Sequence, residues 1–221
     1  MAREVLRIDQ PISCLTAARV ARAPGSVTLR CSPERWQRIA QGHQLLRQRI
    51  AQGVQVYGVT TGFGEGARKT LDAQLNPDLQ SNLLHYLDCA LGELASPEVA
   101  RATLLMRIIS LAQGYSAVSP ALIERLIAVH DAGYAPAIPL QGSLGASGDL
   151  IPLASVGQAI RGLGEVYGPD GQLVPAMHML RALELAPFEF TDKDALGLVN
   201  GTSLMTALAS LALADLTHVL D

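Results

Sequence analysis

The chain has 221 residues, 49% of them hydrophobic, 17% charged and 4% aromatic, which is enough apolar mass for a real core in one or two domains. Seventeen Lys and Arg against twenty Asp and Glu leave a net charge of -3 with no basic cluster, which excludes the phosphate-tracking surface that nucleic-acid binding requires. The amino terminus carries no signal-peptide pattern and no stretch reaches ~18 uninterrupted apolar residues, so no membrane partner is expected and the cytoplasm is the default location.

Residues 1–55 read as a small α+β region. "EVLRI" is extended, "ISCLTAARVARA" a helix and "SVTLR" a strand. "SPERWQRIAQGHQLLRQRIAQG" is a second helix, opening on Ser32, Pro33 and Glu34 with an N-cap hydroxyl, a proline that loses no needed donor, and an acid at the positive helix end. "VYGVTTGFGEGARKTL" is too rich in Gly and Thr for a helix and reads as a long loop, a length more often functional than merely connecting. From about residue 72 the apolar period turns helical through "NPDLQSNLLHYLDCALGEL", "SPEVARATLLMRIISLAQGYS" and "SPALIERLIAVHDAGY". Pro136 and Pro139 keep "APAIPLQ" out of a helix. "DLIPLASVGQAIRGLG" resumes helical spacing with Asp149 placed as its cap, and "YGPDGQ" is a turn. The last stretch predicts a short helix, a break at Asn200 and Gly201, and a long helix apolar nearly all round, to be buried on most faces by other helices or another subunit. Residues 56–221 are therefore expected as one helical region, incomplete at its C-terminal side.

Cys14, Cys31 and Cys89 are odd in number and share no metal spacing, so they read as reduced thiols. His43, His85, His130, His178 and His218 likewise show none, and no metal is expected.

The segment "QGSLGASGDLIPL", residues 141–153, concentrates glycine ahead of an apolar helix. Taken alone, Gly-Ala-Ser-Gly reads first as a flexible connector. It is not a phosphate loop, lacking both the Lys-Ser/Thr ending and the dinucleotide glycine spacing. Glycine does allow a turn tight enough for the Gly148 nitrogen to attack the Ala146 carbonyl. Loss of water there and from the Ser147 side chain would leave a methylidene-imidazolone (MIO) ring, an electrophile no ordinary side chain offers.

Together, "GSLGASGDLIPLA", "VYGVTTGFG" and "LVNGTS" resemble, in order and separation, the MIO-dependent ammonia-lyase and aminomutase family, which includes the histidine, phenylalanine and tyrosine ammonia-lyases. The resemblance runs from about residue 5 to the end. It implies a mainly α fold of the fumarase/aspartase-like superfamily, a homotetramer with sites built from several subunits, no dissociable cofactor, and elimination of ammonia from an amino acid. Carried over residue by residue, Ala146, Ser147 and Gly148 match the ring-forming triad and Tyr57 the base that removes a β-proton. Asn200 matches an asparagine at the ring, Asp149 the residue that fixes the turn, and Gly62 and Gly64 the glycines of the tyrosine loop. Tyr86 and Leu87 fill the pair that contacts the substrate side chain. Leu87 is apolar where histidine-specific members have a histidine, which favours tyrosine or phenylalanine as substrate, although Tyr86 departs from the pattern of both. A 2,3-aminomutase, a histidine ammonia-lyase and an inactive helical fragment that needs a partner chain are the alternatives. Family members are about twice as long, and a second tyrosine, a carboxylate-binding arginine and a glutamate belong to the missing half.

The chemistry accounts for these residue types. A β-hydrogen is not acidic and ammonia leaves poorly, so an electrophile must hold the amine while a base waits at the β-carbon. A phenol serves as base when its pKa falls well below ~10 through positive charge, hydrogen bonds or helix N-termini.

Overall fold

The computed structural model describes residues 3–72 and 75–220. Its N-terminal elements are β1 (Glu4–Arg7), α1 (Cys14–Arg22), β2 (Val27–Arg30) and α2 (Pro33–Ala51). A short 3-10 helix, Gly64–Arg68, interrupts the glycine-rich loop before α3 (Asn76–Leu87), β3 (Leu91–Leu94), α4 (Pro97–Leu111) and α5 (Pro120–Asp131). Then come β4 (Ala135–Pro136), β5 (Pro139–Gln141), α6 (Leu150–Ile160), β6 (Glu165–Tyr167), β7 (Leu173–Pro175), α7 (Ala176–Ala182), α8 (Asp194–Val199) and α9 (Ser203–Leu220). The architecture is mainly α, as expected.

Every Ser-Pro start behaves as its chemistry dictates. Ser32, Ser96 and Ser119 each accept from the backbone N–H three residues on, and the proline that follows occupies a first-turn position that needs no donor. The strands pair β1 with β2 in parallel, β3 with β5 antiparallel, and β6 between β4 and β7. Central to the packing is α4, whose Leu104, Leu105, Ile108 and Leu111 are fully buried and which contacts α1, α5 and α9. Leu6, Ile8, Val27 and Leu29 from the N-terminal elements belong to the same apolar cluster as these leucines.

One expectation is corrected. The helix expected to run through "DCALGEL" stops at Leu87, and Leu91–Leu94 forms β3 instead. Pro139 holds β5 extended as its partner, and Gly92 sits at a φ of 83° where a side chain would press into Gln141. The apolar period did not distinguish that strand from a last helical turn. Helix α9, expected to be buried by other helices or another subunit, is covered by the described residues on one face. Leu204, Ala207, Leu211 and Ala214 are buried, whereas Met205, Leu213, Leu216, Val219 and Leu220 are more than half exposed. By length and composition alone Asp194–Leu220 is apolar enough to cross a membrane, but half of its most apolar window lies inside the chain, where Ala18, Ala21 and Ala102 close over it.

Packing is tight enough for a single methyl group to decide a local outcome. A Cβ on Gly197, inside α8, would overlap Val118 Cγ1. Helix propensity alone favours Ala over Gly by about 1 kcal/mol, whereas overpacking costs about 1–3 kcal/mol. Gly197→Ala is therefore expected to lower the urea midpoint; a raised midpoint would mean that α8 does not press on the Val118 loop.

Candidate active site

The chain doubles back just ahead of α6. Gly148 N–H donates to the Gly145 carbonyl at 3.3 Å, and isolated bridges pair Gly148 with both Gly145 and Ala146. Gly148 has a φ of 89°, and any Cβ there would overlap the carbonyl oxygen of Gly201, a backbone atom that cannot rotate away. Two further bonds fix the same approach. Asp149 N–H donates to Gly201 O at 2.6 Å, and Asn200 Nδ2 reaches Ser147 O at 3.5 Å.

Asp149 does not cap α6 with its side chain, contrary to the sequence expectation. Its backbone carbonyl accepts the first bond of α6, from Leu153 N–H at 3.0 Å, while its buried carboxylate accepts from Met205 N–H at 3.1 Å in the first turn of α9. The cause is the close Gly148–Gly201 approach, which brings the start of α9 within reach. Two helix N-termini, those of α6 and α9, thus begin beside the triad, and their partial positive charge favours anionic groups at that place. A cavity of about 220 Å³ lies over the turn, lined by Ala146, Ser147 and Gly148 together with Leu87, Leu150 and Ile151. The triad thus has the compressed backbone, the excluded side chain at residue 148 and the adjoining open space that an internal ring needs.

The tyrosine loop is built separately. Tyr57 is 51% exposed, its Oη accepts from Gly64 N–H at 3.1 Å, and its ring meets Phe63 edge-on with centroids 6.1 Å apart. Gly62 N–H donates to Lys69 O at 3.4 Å, closing the loop around the 3-10 helix. Two side chains of α3 clamp the loop from below. Fully buried Gln80 donates to Gly58 O at 2.8 Å while its Oε1 accepts from Ala195 and Leu196 N–H, both at 3.1 Å, at the start of α8. Asn76 Nδ2 donates to Val59 O at 3.1 Å and Asp192 O at 2.8 Å.

The same helix carries the expected substrate pair at its other end. Leu87 is buried against the triad cavity, and Tyr86 is 55% exposed. The Tyr86 phenol is pushed above its ordinary pKa, first by burial of its oxygen and then by the charge of Tyr57, so the two phenols are electrostatic neighbours. The structure therefore gathers Ala146, Ser147, Gly148, Asp149, Asn200 and Leu87 at one place, and Tyr57, Gly62, Gly64 and Tyr86 at another. Tyr57 and Gly64 do not line the triad cavity.

The profile of the family described as aromatic amino acid lyase matches residues 13–221. The chain belongs to that family. It is 38% identical over 212 residues to the histidine ammonia-lyase of Symbiobacterium thermophilum, covering 96% of this chain and 41% of the relative. It is 41% identical over 179 residues to the tyrosine ammonia-lyase of Cupriavidus metallidurans, covering 81% and 34%. Among solved structures, the phenylalanine aminomutase of Pantoea agglomerans superposes with a TM-score of 0.86 at 29% identity, over 95% of this chain and 40% of that one. The chain thus spans 34–41% of the length of these relatives.

Three residues beside the candidate site carry no motif in the sequence: Gln80, Asn76 and Arg107, whose Nη2 donates to the Gly197 carbonyl in α8. Gln80 and Asn76 sit in "NPDLQSNLL", whose helical apolar spacing does not mark either amide. Arg107 carried a signal, a lone cation in the apolar run "TLLMRIISL", which points to a buried, purposeful charge. Because the Asp149 carboxylate holds α9 by a hydrogen bond, Asp149→Ala is expected to lower stability by about 1 kcal/mol in urea unfolding, with Asp149→Asn, which keeps an acceptor, losing less. An unchanged midpoint in the alanine variant would contradict that bond.

Proposed function

We propose that this chain is the triad-bearing part of an ammonia-lyase that eliminates ammonia from an aromatic L-amino acid. The observation that carries the reading is the contact of Gly148 and Asp149 with the Gly201 carbonyl, since a connector has no need of a backbone pressed this closely. Formed from Ala146, Ser147 and Gly148, the MIO ring supplies an electrophile that makes the substrate amine a leaving group.

This chain's own side chains do the rest of the work assigned here. Tyr57 Oη takes the β-proton, and the hydrogen bond it accepts from Gly64 N–H holds the phenol on its loop. The tyrosine loop must close over the triad cavity to reach the β-carbon, with Gln80 and Asn76 holding its base. Asn200 Nδ2 stays on Ser147 O and orients the ring or the substrate carboxylate. The helix starts of α6 and α9 offset the negative charge that accumulates at the triad. Leu87 offers the cavity an apolar wall with no partner for an imidazole, which favours a phenyl or phenol ring; Tyr86 packs on that ring or hydrogen-bonds its hydroxyl. The exposed apolar face of α9 supports assembly into a homotetramer, with the remaining segments and subunits completing the site.

A second reading has a specific observation behind it. Two solved aminomutases, that of Pantoea agglomerans and the tyrosine aminomutase of Streptomyces globisporus at 34% identity and a TM-score of 0.84, match 93–95% of this chain. A 2,3-aminomutase uses the same groups and returns the amine to the β-carbon, so a β-amino acid product distinguishes it from a lyase.

The intact mass of the native protein is expected to fall short of the sequence mass by two waters, about 36 Da, and that deficit should vanish in Ser147→Ala. Tyr57→Phe should keep the deficit and lose turnover by about 100-fold or more. An undiminished mass, or full turnover in Tyr57→Phe, would sink this reading.

A further inference from the structure

Arg107 is 2% exposed near the C-terminal end of α4, among Leu104, Leu105 and Ile108. Among the described residues no carboxylate pairs with it, and its Nε has no hydrogen-bond partner. Burial pushes its pKa down to about 10, which leaves it protonated at neutral pH. An uncompensated buried cation destabilises a fold, so its position calls for a reason.

That reason lies in what the guanidinium touches. Nη2 donates to the Gly197 carbonyl in the last turn of α8, where carbonyls lack helical partners and the negative end of the helix dipole sits. Gly201, just past that helix end, has no room for a side chain because a Cβ would overlap Arg107 Nη1. On its other side the Gly201 carbonyl blocks any side chain at Gly148 and accepts the Asp149 N–H. Guanidinium, Gly201 backbone and Gly148 backbone therefore form one continuous stack from the core to the triad.

We propose that Arg107 is a positioning residue for ring closure, holding the Asn200–Gly201 backbone against Ser147–Asp149 so that the turn is compressed enough to cyclise. This rests on the reading that the ring forms. In that step a bond forms between Gly148 N and the Ala146 carbonyl carbon. The carbonyl oxygen leaves as water with the hydrogens of the Gly148 and Ser147 amides. A second water carries off the Ser147 hydroxyl and its Cα hydrogen, so nothing is oxidised or reduced overall.

The test follows the two-water mass deficit over time in the native assembled protein and in Arg107→Met, Arg107→Lys, Gly201→Ala and the Arg107→Met/Gly201→Ala double variant, alongside thermal unfolding. Arg107→Met removes a buried charge and keeps most of the volume, so it should unfold at the same or a higher temperature, yet close its ring about tenfold more slowly or worse. Arg107→Lys should close slowly too, because one ammonium cannot both hold Gly197 O and fill the space beneath Gly201. The double variant should be no slower than Arg107→Met alone, because both changes break one stack. Closure at the wild-type rate in a folded Arg107→Met protein overturns the proposal, and if that variant does not fold, the same result in Arg107→Lys does so. Absence of the deficit in the wild type removes the underlying reading and the proposal with it, an outcome distinct from the other two.

Discussion

A single carbonyl organises the site. Gly201 O receives the Asp149 N–H at 2.6 Å and lies so close to Gly148 that only hydrogen fits on that Cα. From this contact follow the placing of Asn200 on Ser147, the reach of Asp149 across to the first turn of α9, and the meeting of two helix starts beside the triad. Backbone atoms in well-packed surroundings yield little, so the turn is held by groups that cannot relax by changing rotamer.

Helix α3 joins this turn to the tyrosine loop. Its first half sends Asn76 and Gln80 under the loop, and its last residues present Tyr86 and Leu87. Both amides are buried, and their bonds satisfy carbonyls of the glycine-rich stretch at Gly58 and Val59, the Asp192 carbonyl ahead of α8, and the Ala195 and Leu196 N–H groups in the first turn of that helix. The loop thus has buried support below and a half-exposed tyrosine above.

Much of this was legible before any coordinates. The Ser-Pro starts placed α2, α4 and α5, and Pro136 and Pro139 excluded a helix where β4 and β5 stand, because each signal is local and chemical. Asp149 is not legible for the opposite reason: its partner, Met205, lies 56 residues away, and a carboxylate at a helix start has the pattern of a local cap whatever its tertiary partner. The β3 strand was hidden because apolar residues near Leu91 fit a helical period, and its pairing with β5 is a long-range fact. The α9 pattern foretold a helix in need of cover by other helices or another subunit, and the described residues cover one of its faces. Among the candidate site residues, the triad and Asn200 were legible as motifs, whereas Arg107 and Gln80 take their meaning from the backbone they reach.

A high-resolution electron-density map of the native assembly at residues 146–148 tests the central claim most directly. The account predicts a closed five-membered ring, with the Gly148 nitrogen bonded to the former Ala146 carbonyl carbon and the Gly201 oxygen still on Asp149 N–H. Continuous, unmodified backbone through Ala146, Ser147 and Gly148 in that assembly would contradict it.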